Sequence, residues 1–205
     1  NSRWPLDVRF LALFAGLVTL LVYLPALENG FVSWDDDVYV YNNDHILHLN
    51  GEFFSWAFTQ IRASNWHPLT WLSHAIDYAI WGLNPMGHHL TNILLHSINT
   101  LLVTLLAHSV LRGLPVSGHS FFTAPDILPL VAFITGLLFG LHPLHVESVA
   151  WVAERKDLLC AFFYVLSLLF YLRLLHGSPS EIKVKGILLN RNYVISLALF
   201  VLALM

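Results

Sequence analysis

Cysteine is almost absent: Cys160 is the single one among 205 residues. A lone thiol inside an apolar run excludes an internal disulfide and a cysteine-based metal centre. Charge is scarce too, since Lys, Arg, Asp and Glu make up 11% of the chain, where soluble domains carry about 25%. There is no internal repeat and no glycine-rich phosphate loop, and no nucleic-acid partner is expected. What fills the chain is apolar: 57% hydrophobic residues and a mean hydropathy of +0.65. That composition belongs in a bilayer.

A helix needs roughly 20 apolar residues to cross. The runs Phe10–Leu27, Leu90–Leu111, Ile127–Leu141 and Leu158–Leu175 supply candidates. They predict an all-α polytopic membrane protein with spans at about 10–27, 88–111, 127–146 and 158–175, and an incomplete one at 193–205. The first run is too long for a signal peptide, and no small-x-small cleavage site follows it, so it reads as a retained span. The last run stops at Met205 and no initiator Met opens the chain, so a piece of a longer protein is expected.

Cationic side chains collect on the cytoplasmic side of membrane proteins. With the N-terminus inside, Arg3, Arg9, Arg112, Arg173, Lys183, Lys185 and Arg191 are cytoplasmic, leaving Arg62, Arg155 and Lys156 outside. Six of the seven Trp (34, 56, 66, 71, 81 and 151) then fall in outer segments, as befits a residue that prefers the membrane–water interface. The stretch 28–87 becomes a long outer loop. Within it, Glu52–Thr59 and Leu69–Gly82 mix aromatic and polar residues and predict short interfacial helices.

Polar chemistry concentrates in three places. Asp35, Asp36 and Asp37 follow the first span, and three adjacent carboxylates need water, a cation or protons; a solvated loop is the plain alternative. On the second span His89, Asn92, His96 and Asn99 are spaced 3, 4 and 3, which puts them on one helix face. Hydrogen bonding between helices would account for them without any ligand. Third comes His142-Pro143-Leu144-His145-Val146-Glu147, where Pro143 marks a break, followed by Glu154–Asp157, expected as a tight outer turn.

These stretches occur in a recognisable order: Asp35-Asp36 with Asn43, Trp66-His67-Pro68-Leu69-Thr70, Gly87-His88-His89-Leu90-Thr91-Asn92 to His96, and Leu141-His142-Pro143-Leu144-His145-Val146-Glu147 to Arg155-Lys156-Asp157. In that order they resemble the N-terminal membrane part of the transmembrane-and-tetratricopeptide-repeat proteins, relatives of protein O-mannosyltransferases in the GT-C superfamily. The resemblance implies a GT-C-like helical bundle that uses a polyprenyl-phosphate sugar on the extracytoplasmic face, as in a bacterial inner membrane or its equivalent. It also implies a protein Ser or Thr acceptor, and further spans with a C-terminal helical-repeat domain beyond this chain. Two departures are Asp37, a third carboxylate, and Lys156, where such relatives often carry a small residue.

Glycosyl transfer needs a base for the attacking hydroxyl, a role that suits Asp35 or Asp36. It also needs a cation for the departing phosphate, which suits Arg155 with Lys156. His142 and His145 can donate to the same phosphate, and Glu147 can orient a histidine or meet sugar hydroxyls. Asp37, His67, His89, Asn92 and His96 are expected in support. The aspartates would accept Mg²⁺ or Mn²⁺ and the His142–Glu147 set Zn²⁺, but the resemblance implies no metal, and no cofactor is expected. Two rivals remain: a non-catalytic subunit that docks a partner through the Trp-rich outer loop, and a haem subunit. Against the second, His89 and His96 share one helix.

Overall fold

The computed structural model describes residues 7–113, 127–176 and 190–205, and these are helical, with no strand among them. Helix α1 (Val8–Tyr23) starts where the Asp7 side chain accepts from the Arg9 amide at 2.9 Å, and it tightens into a 3₁₀ turn at Leu24–Glu28, around Pro25. In the segment between α1 and the next long helix, α2 (Gly51–Thr59) is capped by Asn50, and α3 (Pro68–Trp81) begins on Pro68, whose missing N–H is harmless in a first turn. Then follow α4 (Pro85–Gly113), α5 (Leu128–Gly140), the short α6 (His145–Ala150), α7 (Arg155–Leu175) and α8 (Arg191–Ala203).

Val8–Glu28, Pro85–Gly113 and Val152–Leu175 are long and apolar enough to cross a membrane, so the chain is an integral membrane protein. The third expected span is shorter than its run of apolar residues predicts. Helix α5 stops at Gly140 and does not continue through residue 146. Pro143 lacks the N–H that would carry the ladder onward, and the chain restarts as α6 at His145. Thirteen helical residues reach about 20 Å, short of a hydrocarbon core of about 30 Å. A second difference lies at Glu154–Asp157, expected as a turn. Val152–Glu154 is a 3₁₀ turn, and Arg155 already opens α7.

Helix α4 is the centre of the bundle and packs on α1, α5 and α7, while α8 packs on α7. Small residues make the close approaches possible. A Cβ at Gly16 of α1 would lie 2.9 Å from the Ser97 carbonyl. One at Gly136 would run into Thr104, and one at Gly140 into Thr19 and Thr100. In a bilayer lipid tails are as apolar as leucine, so such close van der Waals packing is what holds helices together.

The segment between α1 and α4 has a core of its own, shared with the turn before α7. Tyr39, Val40, Ile46, Phe53, Ala57, Trp71, Ala75, Val152 and Ala153 are buried against one another. The loop after α1 and the turn before α7 are therefore two walls of a single cap. Helix α3 is not a helix lying free on the surface, as its composition predicts. Trp71 and Ala75 face the cap core, while His74 and Asp77 are buried toward the polar end of α4.

Candidate functional site

The α4 stripe faces inward, and each of its members meets a backbone carbonyl of another segment: three at or near breaks and one, that of Leu158, inside α7. His89 Nε2 lies 3.5 Å from the Gly30 carbonyl and His96 Nε2 lies 2.9 Å from that of Gly140. Asn92 donates to the Val149 and Trp151 carbonyls at 3.3 and 3.2 Å, and Asn99 donates to Leu158 at 2.9 Å. Irregular backbone at membrane depth must find partners inside the protein. The stripe supplies them, which is the helix-to-helix role weighed for these residues from their spacing alone.

Asp36 ties the two ends of the cap together. Its Oδ2 accepts from the Val32 amide and its Oδ1 from the Ala153 amide, both at 2.8 Å. The carboxylate is fully buried. Burial pushes its pKa up, and the two amides and nearby His89 oppose that only in part. Asp35 and Asp37 flank it and are half-exposed. The backbone widens here into one π-type turn over Asp37–Tyr41, a device found often at functional sites. Just before it the neighbouring carboxylates part: Asp36 is buried, and Asp35 is half-exposed on the side where Tyr39 sits.

Arg155 has the largest departure from expectation. Its position just before a charged Lys-Asp pair predicts an exposed turn; instead the guanidinium is fully buried. Nη2 forms an ion pair with Asp77 at 2.6 Å, and the same nitrogen donates to the His88 carbonyl at 2.8 Å. Nε donates to Asn92 Oδ1 at 2.7 Å, and Nη1 to Ser73 at 3.0 Å. Thr91 Oγ1 donates to the other Asp77 oxygen at 2.8 Å. A guanidinium this fully engaged positions α3, α4 and α7 relative to one another.

Asp77, Ser73, His74 and His88 were not singled out from the sequence. A signal was there: His67, Thr70, His74 and Asp77 repeat the 3, 4, 3 spacing of the α4 stripe on α3. His74 is fully buried between Tyr39 and His88, with neither ring nitrogen hydrogen-bonded. Burial first, and then the neighbouring Arg155 and His88, hold its pKa well below the ordinary histidine value.

The outward side of the cap is different. Lys156 Nζ donates to Glu154 Oε1 at 2.6 Å and stands 5.6 Å above the Tyr39 ring, which stacks on Trp71 at 4.6 Å. His67 lies beside the same ring. Lys156, His67, Thr70, Asp157 and Cys160 line a cavity of about 290 Å³, whose other walls are Leu69 of α3, Leu159 of α7 and residues 202–205 at the end of α8. His67 is held neutral, chiefly by burial and then by Lys156.

His142, His145 and Glu147 are grouped elsewhere on this end of the bundle. His145 packs on Phe139, His96 and His142, and His142 and Glu147 are exposed. An apolar groove of about 420 Å³ runs past them, between Tyr23, Pro25 and Ala26 on one side and Leu141, Pro143 and Val146 on the other. Among the described residues, no three His, Cys, Asp or Glu side chains converge as a metal site would require.

A mouse protein named protein O-mannosyl-transferase TMTC4 is 33% identical over 167 residues, which cover 78% of this chain and 22% of that protein. The chain belongs to the TMTC family. Human TMTC4 is 32% identical across 82% of this chain and 24% of its own length, and mouse TMTC2, also named a protein O-mannosyl-transferase, is 31% identical across 78% and 18%. The chain thus spans about a fifth of the TMTC proteins it matches. No family model and no solved structure matches it.

Proposed function

We propose that this chain is the catalytic end of a GT-C-type membrane glycosyltransferase. It moves a sugar from a polyprenyl phosphate to a hydroxyl, that of a protein Ser or Thr, on the extracytoplasmic side. One observation carries the reading: Asp36 accepts from the Ala153 amide at 2.8 Å, 117 residues along the chain. The acidic turn and the block that opens α7 thus share one cap at one end of the bundle. The names of the relatives supply the reaction class, and the charge asymmetry of the loops supports the sidedness. In a longer protein, further spans and a helical-repeat domain would complete the enzyme.

In this reading the hydroxyl oxygen attacks the anomeric carbon as the bond to the phosphate oxygen breaks. The proton goes to a carboxylate and the leaving phosphate keeps the electron pair. Asp35 is the base. It is half-exposed, whereas both oxygens of Asp36 already accept backbone amides. A base must be in hydrogen-bond reach of the proton it takes, and a fully buried, doubly bonded carboxylate is not. The test is transfer from polyprenyl-phosphate mannose to a Ser/Thr peptide by the full-length protein. Asp35→Asn is expected to lower turnover by about 10²–10⁴-fold without changing the melting temperature. Unchanged turnover in that variant removes the proposal.

A further inference from the structure

Two cations stand next to each other at the start of α7, and the fold separates them. Arg155 is fully buried, with four of its N–H directions committed to Asp77, the His88 carbonyl, Asn92 and Ser73. Lys156 turns to the other side of the helix, with its side chain 24% exposed at the edge of the 290 Å³ cavity. An ammonium has three donors, and Glu154 takes one of them.

The cavity has two halves. Lys156, His67, Thr70 and Asp157 form a polar head, and Leu69, Leu159, Leu202 and Leu204 an apolar remainder. His67 Nε2 is buried there without a hydrogen-bond partner. Burial lowers its pKa, and a neutral imidazole still has one ring nitrogen that donates. Of the two carboxylates nearby, Glu154 is paired with Lys156, and Asp157 Oδ2 accepts from Ser148 Oγ at 3.1 Å. The volume suits a headgroup rather than a whole lipid.

We infer that Lys156 and His67, and not Arg155, meet the phosphate of a polyprenyl lipid in the cavity between α3, α7 and α8. Arg155 is then a positioning residue that holds the floor in place. This rests on the transferase reading for the identity of the lipid, but lipid binding can be measured without sugar or acceptor.

The experiment is binding of undecaprenyl phosphate, with undecaprenol and inorganic phosphate as controls, to the full-length protein in nanodiscs. Lys156→Ala is expected to weaken the lipid phosphate by about tenfold or more, Lys156→Arg to restore most of it, and undecaprenol binding to stay unchanged. In the unaltered protein, undecaprenyl phosphate is expected to slow alkylation of Cys160, followed by peptide mapping, so that the site is read without any substitution. Wild-type affinity in Lys156→Ala together with an unprotected Cys160 overturns the inference. So does inorganic phosphate that protects as well as the lipid, because the apolar half would then contribute nothing. Binding through Lys156 in a protein that transfers no sugar would sink the enzyme reading and leave this one standing; transfer with no role for Lys156 would do the reverse.

Discussion

Arg155 and Lys156 are adjacent in sequence, and so are Asp35 and Asp36, yet in each pair one member lies inside the cap and the other at its surface. The inner members, Asp36 and Arg155, are fully buried, and their polar atoms meet amides, carbonyls and Asp77. The outer members keep unused donors or acceptors and face space. The comparison teaches that charge near a suspected site says little until its partners are counted. A charge whose hydrogen-bonding capacity is filled by the protein holds the fold, and one with capacity left over is available for chemistry.

The largest effect is expected at the buried ion pair. Removing one partner leaves an uncompensated charge, at a cost of about 3–5 kcal/mol. Asp77→Ala and Arg155→Ala are therefore expected to lower the melting temperature sharply in detergent. A milder loss in the double variant than in either single one would confirm that the stranded charge is the cause. If either single variant melts like the wild type, the inner role of Arg155 is wrong.

Next comes Asp36→Asn. One carboxamide cannot accept from both Val32 and Ala153 with the same geometry, and a lost buried bond of this kind is worth about 1–3 kcal/mol. Proteolysis should then open the segment between α1 and α2 before the spans. Asn92→Ala is expected to act at a similar level, since it strands the Val149 and Trp151 carbonyls and the Arg155 Nε.

Acid provides a third probe of the inner face. His74 has a folded-state pKa well below its ordinary value. The unfolded chain binds a proton there at a pH where the folded protein does not. The stabilisation is fully present above the unfolded pKa of about 6.5 and is lost as the pH falls below it. His67 has the same sign. Asp36, whose pKa is raised, has the opposite sign: its contribution is fully present below the unfolded carboxylate pKa and is lost as the pH rises through the raised folded one. Melting temperature should therefore fall from pH 7 to pH 5, and His74→Phe should flatten that slope. The smallest stability effect is expected on the outer face, where Lys156→Ala removes a partly buried pair held by the single contact to Glu154.

Much of this was readable from residue order. Three of the expected spans match long helices, because runs of apolar residues state bilayer solubility directly. The α4 stripe was legible from its spacing, since helical periodicity fixes which residues share a face. The shortness of α5 was half legible: Pro143 was flagged, but the partner of the Gly140 carbonyl freed by the stop is the donating His96 Nε2, 44 residues away. The burial of Arg155 was not legible locally, because its neighbours Lys156 and Asp157 suggest solvent. Its partner Asp77 sits on a helix whose composition looks interfacial, and only packing of α3 against α4 and α7 brings the two together. The division between Asp35 and Asp36 was not legible, because the Ala153 amide that holds Asp36 inside lies 117 residues away.

The most direct test compares the two neighbouring aspartates in one preparation of the full-length protein, measuring melting temperature and sugar transfer for Asp35→Asn and Asp36→Asn side by side. The account expects the first variant to keep its melting temperature and lose transfer, and the second to lose melting temperature. A stable Asp36→Asn protein without activity, beside an Asp35→Asn protein that turns over normally, would reverse the assignment and contradict the separation of inner and outer charges.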